Sequence, residues 1–291
     1  MANKKIISLE DINKLQGRIL SLIKKDIEIK LNCEYGFNSN KYTYDPDSSP
    51  LAWAYYLLVH EDKFKISIEQ LSNGFDARMP RNCGFTKKGN PKRIIGSYRN
   101  IDIAGDCAFN FNDGKLIDFL KILYSNKANA KESIKELLLL CHLMHHSVFN
   151  FTLMPRTGGL NDVKGMKICD TQGFDRLDKF LAYMKSLFEK TDSKHEDLSN
   201  NKQILFIFLK EEVKTFNEYC KLFYHIDTND NQEKYPKIKN LLENINKIEP
   251  ISNCETLLNY IELAVEFWEH QADYYVKCTK KQNESSVKGD E

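Results

Sequence analysis

The stretch that decides the predicted fold runs from Ser147 to Phe174 and reads SVFNFTLMPRTGGLNDVKGMKICDTQGF. Apolar and polar residues alternate over 147–154, Pro155 stops that run, and a second short alternating run follows the loop at 166–169. Alternation with a period of two is typical of a strand, and proline cannot donate a ladder hydrogen bond. The stretch therefore predicts a strand that ends at Pro155, a loop, and a short strand that returns beside the first.

Helical periodicity dominates on both sides of this stretch. The hydrophobic spacing predicts helices over 9–31, 130–145, 175–189, 203–223, 235–245 and 254–278. Ser8 is the predicted N-cap of the first helix, because the acidic Glu10 and Asp11 follow it. Another alternating run, 102–111, predicts a further strand.

Strands are thus confined to about the first 170 residues, and helices fill the rest of the chain. Such segregation predicts an α+β fold with a small, mainly antiparallel sheet and a helical C-terminal half. We expect one α+β domain over 1–278, in which a mixed α/β part covers about 1–174 and a helical part covers about 175–278. Residues 279–291 are predicted to form a disordered tail.

Composition narrows the classes of protein. With 42 basic and 41 acidic residues, the chain has no global electrostatic footprint for nucleic acid or an anionic membrane. It has no apolar run long enough to span a membrane and no signal-peptide pattern, so we expect a cytoplasmic location. The eight cysteines form no C-x-x-C pair, which predicts reduced structural thiols and no zinc. No glycine-rich nucleotide-binding motif is present, and no cofactor is predicted.

The loop at 155–165 carries the leading candidate site, for a small anionic ligand. Adjacent glycines let the backbone approach a ligand, while arginine offers a planar fork and lysine a point charge. An ordinary hairpin loop, whose glycines satisfy positive φ, is the competing interpretation. The predicted ligand-binding residues are Arg156, Gly158, Gly159, Asn161 and Lys164.

A basic segment at 81–99 contains six lysines or arginines and no acidic residue. Basic side chains with interleaved aromatic residues are typical of single-stranded nucleic-acid binding. A solvated loop explains the charge equally well. The weaker nucleic-acid candidates are Lys87, Lys88, Lys92 and Arg93.

Two further sets of residues are candidates for catalytic or metal-binding groups. Asp102 and Asp106 lie an even number of residues apart, so a regular strand would present both carboxylates on one face for acid–base work or Mg²⁺. His142 and His146 have the i, i+4 spacing of a helical metal pair. No third ligand is identifiable, and histidines near a helix end also suit the helix dipole. No metal site is therefore predicted.

Three segments together resemble a family of bacterial proteins known only as a domain of unknown function. They are YTYDPDSSPLAWAYYLL, SVFNFTLMPRTGGLNDVKGMKI and the Gly173–Phe174 entry to DRLDKFLAYMKSLF, and they span about 42–188. The basic segment and the cysteine content depart from that family's pattern. The resemblance implies a shared fold and a bacterial origin, and it supplies no catalytic residue.

The sequence leaves three functions open. The first is binding of a small anionic ligand at the 155–165 loop. The second is an enzyme that acts on nucleic acid or a nucleotide, in a phage-defence or mobile-element setting. The third is a non-enzymatic protein-interaction module. Whether the protein is an enzyme, and how many copies assemble, stay open at this point.

Overall fold

The computed structural model describes residues 8–32, 83–85, 91–93, 101–104, 109–110, 131–144, 147–150, 152–155, 175–189, 214–227 and 234–287. Helices make up most of this part of the chain. They are α1 (Leu9–Asn32), α2 (Lys131–Met144), α3 (Leu177–Glu189), α4 (Phe216–Tyr219), α5 (Pro236–Glu243) and α6 (Cys254–Val287).

Helix α1 forms where the sequence predicts it. The Ser8 hydroxyl accepts a hydrogen bond from the Asp11 backbone N–H at 3.1 Å, and the Asp11 carboxylate accepts one from the Ser8 N–H at 3.2 Å. This reciprocal cap satisfies two backbone donors at the helix start. Four apolar side chains at intervals of three and four residues are buried along one face: Ile12, Leu15, Ile19 and Leu22. Both the cap and the helix confirm the prediction.

Helix α2 packs beside α1, and the two run in the same direction. Gln16 on α1 donates to the backbone carbonyl of Ser133, at the start of α2, over 2.9 Å. Asp26, near the other end of α1, reaches Val148, just beyond the end of α2. Leu137, Leu138 and Cys141 are fully buried on the inner face of α2. The predicted helix over 130–145 is confirmed.

Helix α6 forms the centre of the described core. Both α1 and the 3₁₀ turn Val148–Asn150 pack against it. Phe267 and Trp268 are fully buried, and the Trp268 indole N–H donates to the Asn150 side chain at 3.0 Å. Phe267 and Trp268 are thus packing residues. The helix continues to Val287, past the end at residue 278 that the sequence predicted.

The segment before α5 contains an irregular turn. Thr215 and Glu218 form a capping box at the start of α4, and the chain then passes into one π-helical turn, Cys220–Tyr224. His225 ends that turn at φ 57°, in the left-handed region, where its ring stacks on Tyr274 at 3.4 Å. The predicted helix 203–223 is therefore not continuous, because the extended Thr215 begins a new helix; residues 203–213 lie outside the described part.

Short strands occur as three separate antiparallel pairs. They are β1 (Cys83–Phe85) with β2 (Pro91–Arg93), β3 (Ile101–Ala104) with β5 (Thr152–Pro155), and β4 (Phe109–Asn110) with β6 (Asp175–Arg176). Strand β5 ends at Pro155, as predicted. Its partner in the structure is β3, whereas the predicted returning strand at 166–169 lies outside the described residues.

The predicted α+β fold with a sheet is wrong for the described part of the chain, which is helical in character. Two features of the sequence explain the error. Residues 148–150, which alternate like a strand, form a 3₁₀ turn because Asp26 caps it. The alternating run 102–111 is divided between β3 and β4, so each extended piece has only one partner. The buried apolar side chains of the described core lie on helices and their connecting turns.

Within the described ranges, no helix is both long enough and apolar enough to cross a membrane.

Candidate functional site

A cleft of about 540 Å³ opens where the start of α3, the segment 237–249 and the first turns of α6 meet. These three segments lie far apart in the sequence. Apolar side chains of Leu241, Tyr260 and Leu263 are buried at its base. Polar side chains form its rim. The residues that line this cleft all belong to the described part of the chain.

A buried ion pair stabilises the base of the cleft. Arg176, which is 2% exposed, donates from Nε to Asp178 Oδ1 at 2.9 Å and from Nη2 to Oδ2. The Arg176 guanidinium also lies over the Tyr260 ring, 5.1 Å from its centre. The Tyr260 hydroxyl accepts a hydrogen bond from the Leu177 N–H at 2.8 Å. These contacts fix the start of α3 on α6, so the base of the cleft is rigid.

Helix α5, which forms one wall, is capped by a residue of another helix. Pro236 occupies its first turn, and the N-cap residue Tyr235 makes no side-chain capping bond. Instead, Glu266 on α6 accepts a hydrogen bond from the Ile238 N–H at 2.8 Å. Burial raises the pKa of Glu266, and the backbone N–H groups of Ile238 and Lys237 only partly offset that effect. The wall is thereby tied to α6 through a buried carboxyl group.

Two more carboxylates of α6 bind the start of α5 and the residues just before it. Lys237 Nζ lies 2.7 Å from Glu262 Oε2, and Asp273 pairs with Lys234. The Tyr235 hydroxyl also donates to Asp273 at 2.8 Å. Burial works to raise the pKa of Asp273, but its bonds to Lys234 and Tyr235 outweigh burial and lower that pKa. Three carboxylates on one side of α6 therefore position the wall of the cleft.

The rim offers hydrogen-bonding groups that no described residue occupies. Asn244 uses its amide N–H groups on the Asn240 carbonyl groups, at 2.9 and 3.2 Å. The Asn259 carboxamide makes no hydrogen bond to described residues. Lys247 and Glu249 also line the cleft, and neither has an ion-pair partner within the described ranges. A polar ligand would therefore meet both hydrogen-bond donors and hydrogen-bond acceptors at the rim.

The chemistry of these groups favours binding. Among the described residues that line the cleft there is no serine, cysteine or histidine to act as a nucleophile or a base near neutral pH. The one hydroxyl side chain besides Tyr260 is Thr256, which is engaged in capping α6: its Oγ1 accepts from the Ser252 and Asn253 N–H groups. The lining is thus suited to holding a polar molecule.

The predicted ligand site in the 155–165 loop lies almost entirely outside the described residues. Strand β5 ends at Pro155, and the residues predicted to bind the ligand lie outside the described part of the chain. They are Arg156, Gly158, Gly159, Asn161 and Lys164. The loop stays a prediction.

The weaker candidates are only partly placed. Lys92 and Arg93 lie in β2, and Asp102 lies in β3 opposite Met154. His142 is half-buried in the last turn of α2. Lys87, Lys88, Asp106 and His146 lie outside the described residues. No group of three or more histidine, cysteine or acidic side chains in the described part of the chain is arranged to hold a metal ion.

No local sequence pattern indicates the cleft, because its lining residues are divided among segments that lie far apart in the chain. Asn240 lies within α5, and Asn244 is the C-cap residue of that helix, where asparagine has an ordinary capping role.

Comparison of the chain with protein-family models, with curated proteins and with solved structures finds no match. The resemblance to the bacterial domain of unknown function therefore stays a prediction, and the function has to be argued from the cleft itself.

Proposed function

We propose that the protein binds a small anionic molecule in the cleft formed by α3, α5 and α6. The volume of about 540 Å³ lies within the range of roughly 300–1,000 Å³ that is typical of small-molecule sites. Such sites combine an apolar base with a few polar groups that orient the ligand. The base of Leu241, Tyr260 and Leu263 and the polar rim match that description.

The observation that carries the proposal is the state of Lys247. Lys247 lines the cleft, is exposed, and has no carboxylate partner within the described ranges, in contrast to Lys237, which is paired with Glu262. Lys247 and the carboxamide of Asn259 line the same cleft, and an ammonium and an amide N–H both suit a carboxylate or phosphate group.

A ligand screen tests this proposal. Thermal unfolding is measured with small carboxylates, phosphate esters and their neutral analogues at constant ionic strength. A ligand that binds the folded protein raises the melting temperature by mass action. We expect anionic compounds to raise it and their neutral analogues to have no effect.

Lys247→Ala is the test variant, and Lys239→Ala is its matched control. Lys239 lies on α5, is exposed and does not line the cleft. We expect Lys247→Ala to weaken binding about 10-fold, as for the loss of a charge-assisted hydrogen bond of about 1.4 kcal/mol. Lys239→Ala should bind like the wild type. Equal binding by both variants would remove the cleft from consideration as the site.

The remaining hypotheses stay proposals. A ligand site at the 155–165 loop, a nucleic-acid or nucleotide enzyme, and an interaction module are not favoured by any described contact. For a cytoplasmic location the support is the free thiols of Cys141, Cys220 and Cys254.

A further inference from the structure

Lys237 both lines the cleft and forms an ion pair with α6. Its ammonium group lies 2.7 Å from the Glu262 carboxylate of α6. The side chains of Lys237 and Glu262 are 40% and 24% exposed. An ion pair this accessible to water is only weakly stabilising, so its partners can be exchanged.

Glu262 differs from the other carboxylates on the same side of α6. Glu269 pairs with Arg18 of α1, and Asp273 pairs with Lys234, neither of which lines the cleft. Glu266 accepts a backbone N–H bond and caps α5. Of these four acidic residues, only Glu262 is paired with a lysine that lines the cleft.

We infer that Glu262 limits the affinity of the cleft for anions, because it competes with an anionic ligand for Lys237. The inference rests on the proposed function of the cleft. A ligand that approaches Lys237 has to displace the Glu262 carboxylate, which is not itself among the described residues lining the cleft. The ion pair thus lowers the affinity for every anion by a constant factor. Only a ligand whose other groups engage the rim binds well.

Inorganic phosphate is the probe for this inference. Phosphate replaces chloride at constant ionic strength, and the dissociation constant is measured by NMR from the side-chain amide signals of Asn259 and Asn240, which line the cleft. The test variant is Glu262→Gln, which keeps the size of the side chain and removes its charge. Glu243→Gln is the matched control, because Glu243 is exposed on α5 and does not line the cleft.

We expect Glu262→Gln to bind phosphate about two- to fivefold more tightly than the wild type, the factor that corresponds to a half-exposed ion pair. Glu243→Gln should match the wild type, which removes a general effect of net charge. In a Lys237→Ala background, the Glu262→Gln change should have no effect, because the double-mutant cycle isolates the pair.

The outcomes separate the two proposals. Phosphate binding of equal strength in the wild type and in Glu262→Gln would overturn the role of Glu262 and leave the anion site intact. An equal gain in Glu243→Gln, or a gain that persists without Lys237, would overturn it as well. Absence of any phosphate-dependent change at Asn259 and Asn240 in all variants would contradict the proposed function, and the inference with it.

Discussion

The Asp26 carboxylate accepts a hydrogen bond from the backbone N–H of Val148 at 2.8 Å, although the two residues lie 122 positions apart in the chain. The same carboxylate accepts a second bond from the Ser147 hydroxyl at 3.1 Å. Asp26 is only 6% exposed. One buried side chain of α1 thus caps the 3₁₀ turn Val148–Asn150, and this turn packs on α6.

Replacement of Asp26 by alanine should destabilise the protein substantially. The change leaves the buried Val148 N–H and Ser147 hydroxyl without their acceptor, and such a loss costs about 2 to 4 kcal/mol. The free energy of unfolding in urea measures the effect. Glu28→Ala is the control, because Glu28 is exposed on the same helix. A loss no larger than that of Glu28→Ala would contradict the capping role.

Glu266→Gln should change how stability depends on pH. Burial raises the pKa of Glu266 above its ordinary value of 4.5, so the folded protein holds this proton more tightly than the unfolded chain. The contribution of Glu266 to stability is therefore fully present below pH 4.5 and is lost as the pH rises through the raised pKa. The glutamine variant keeps an acceptor for the Ile238 N–H and removes this titration.

The measurement is the difference in unfolding free energy between the wild type and Glu266→Gln from pH 4 to pH 7. We expect the wild type to lose stability relative to the variant as the pH rises across that window. The difference cancels the other titrating groups that both proteins share. A difference that does not vary with pH, or that varies in the opposite direction, would contradict the role of burial.

The buried thiols should be unreactive in the native protein. Burial raises the pKa of the Cys141 and Cys220 thiols, so little of the reactive thiolate forms, and neither side chain is accessible. Cys254 is only half-buried and should react first with iodoacetamide at pH 8. Mass spectrometry of the labelled peptides distinguishes the three. Labelling of Cys141 before Cys254, or stoichiometric zinc in the purified protein, would show that this account of the cysteines is wrong.

The loop hypothesis predicts that Arg156→Ala leaves the melting temperature within a few degrees of the wild type. The hypothesis places Arg156 in an exposed loop, where a cation contributes little to stability, whereas its loss from an anion site weakens binding. Thermal unfolding with and without the anion identified for the cleft measures both effects. Loss of folding on this substitution would instead identify Arg156 as a structural ion-pair partner.

The helices were predictable because the signals that form them are local. Ser8 and Asp11 exchange hydrogen bonds between side chain and backbone although they lie only three residues apart. The buried face of α1 follows from the spacing of its apolar residues. The start of α6 at Cys254 was predictable for the same reason, since Asn253 caps it by accepting from the Thr256 N–H at 3.0 Å.

The sheet was predicted wrongly, and the cleft was not predicted. Both depend on contacts between residues that lie far apart in the sequence. Val148 alternates with its neighbours like a strand residue, and only Asp26, brought beside it by the packing of α1 on α2, makes the 3₁₀ turn favourable. Likewise, Arg176 and Lys247 lie in separate segments and line one cleft only after α3 and α5 dock on α6. No local pattern encodes either arrangement.

The most direct test of the central claim is to locate an anion in crystals of the protein. Selenate, a tetrahedral oxyanion with strong anomalous scattering, is added near its dissociation constant in solution to crystals of the wild type and of Lys247→Ala. We expect the highest anomalous peak of the wild type to lie in the cleft beside Lys247 and Asn259, and to be lost in the variant. A cleft without selenate while another site is occupied, or a peak unchanged by Lys247→Ala, would contradict the proposal.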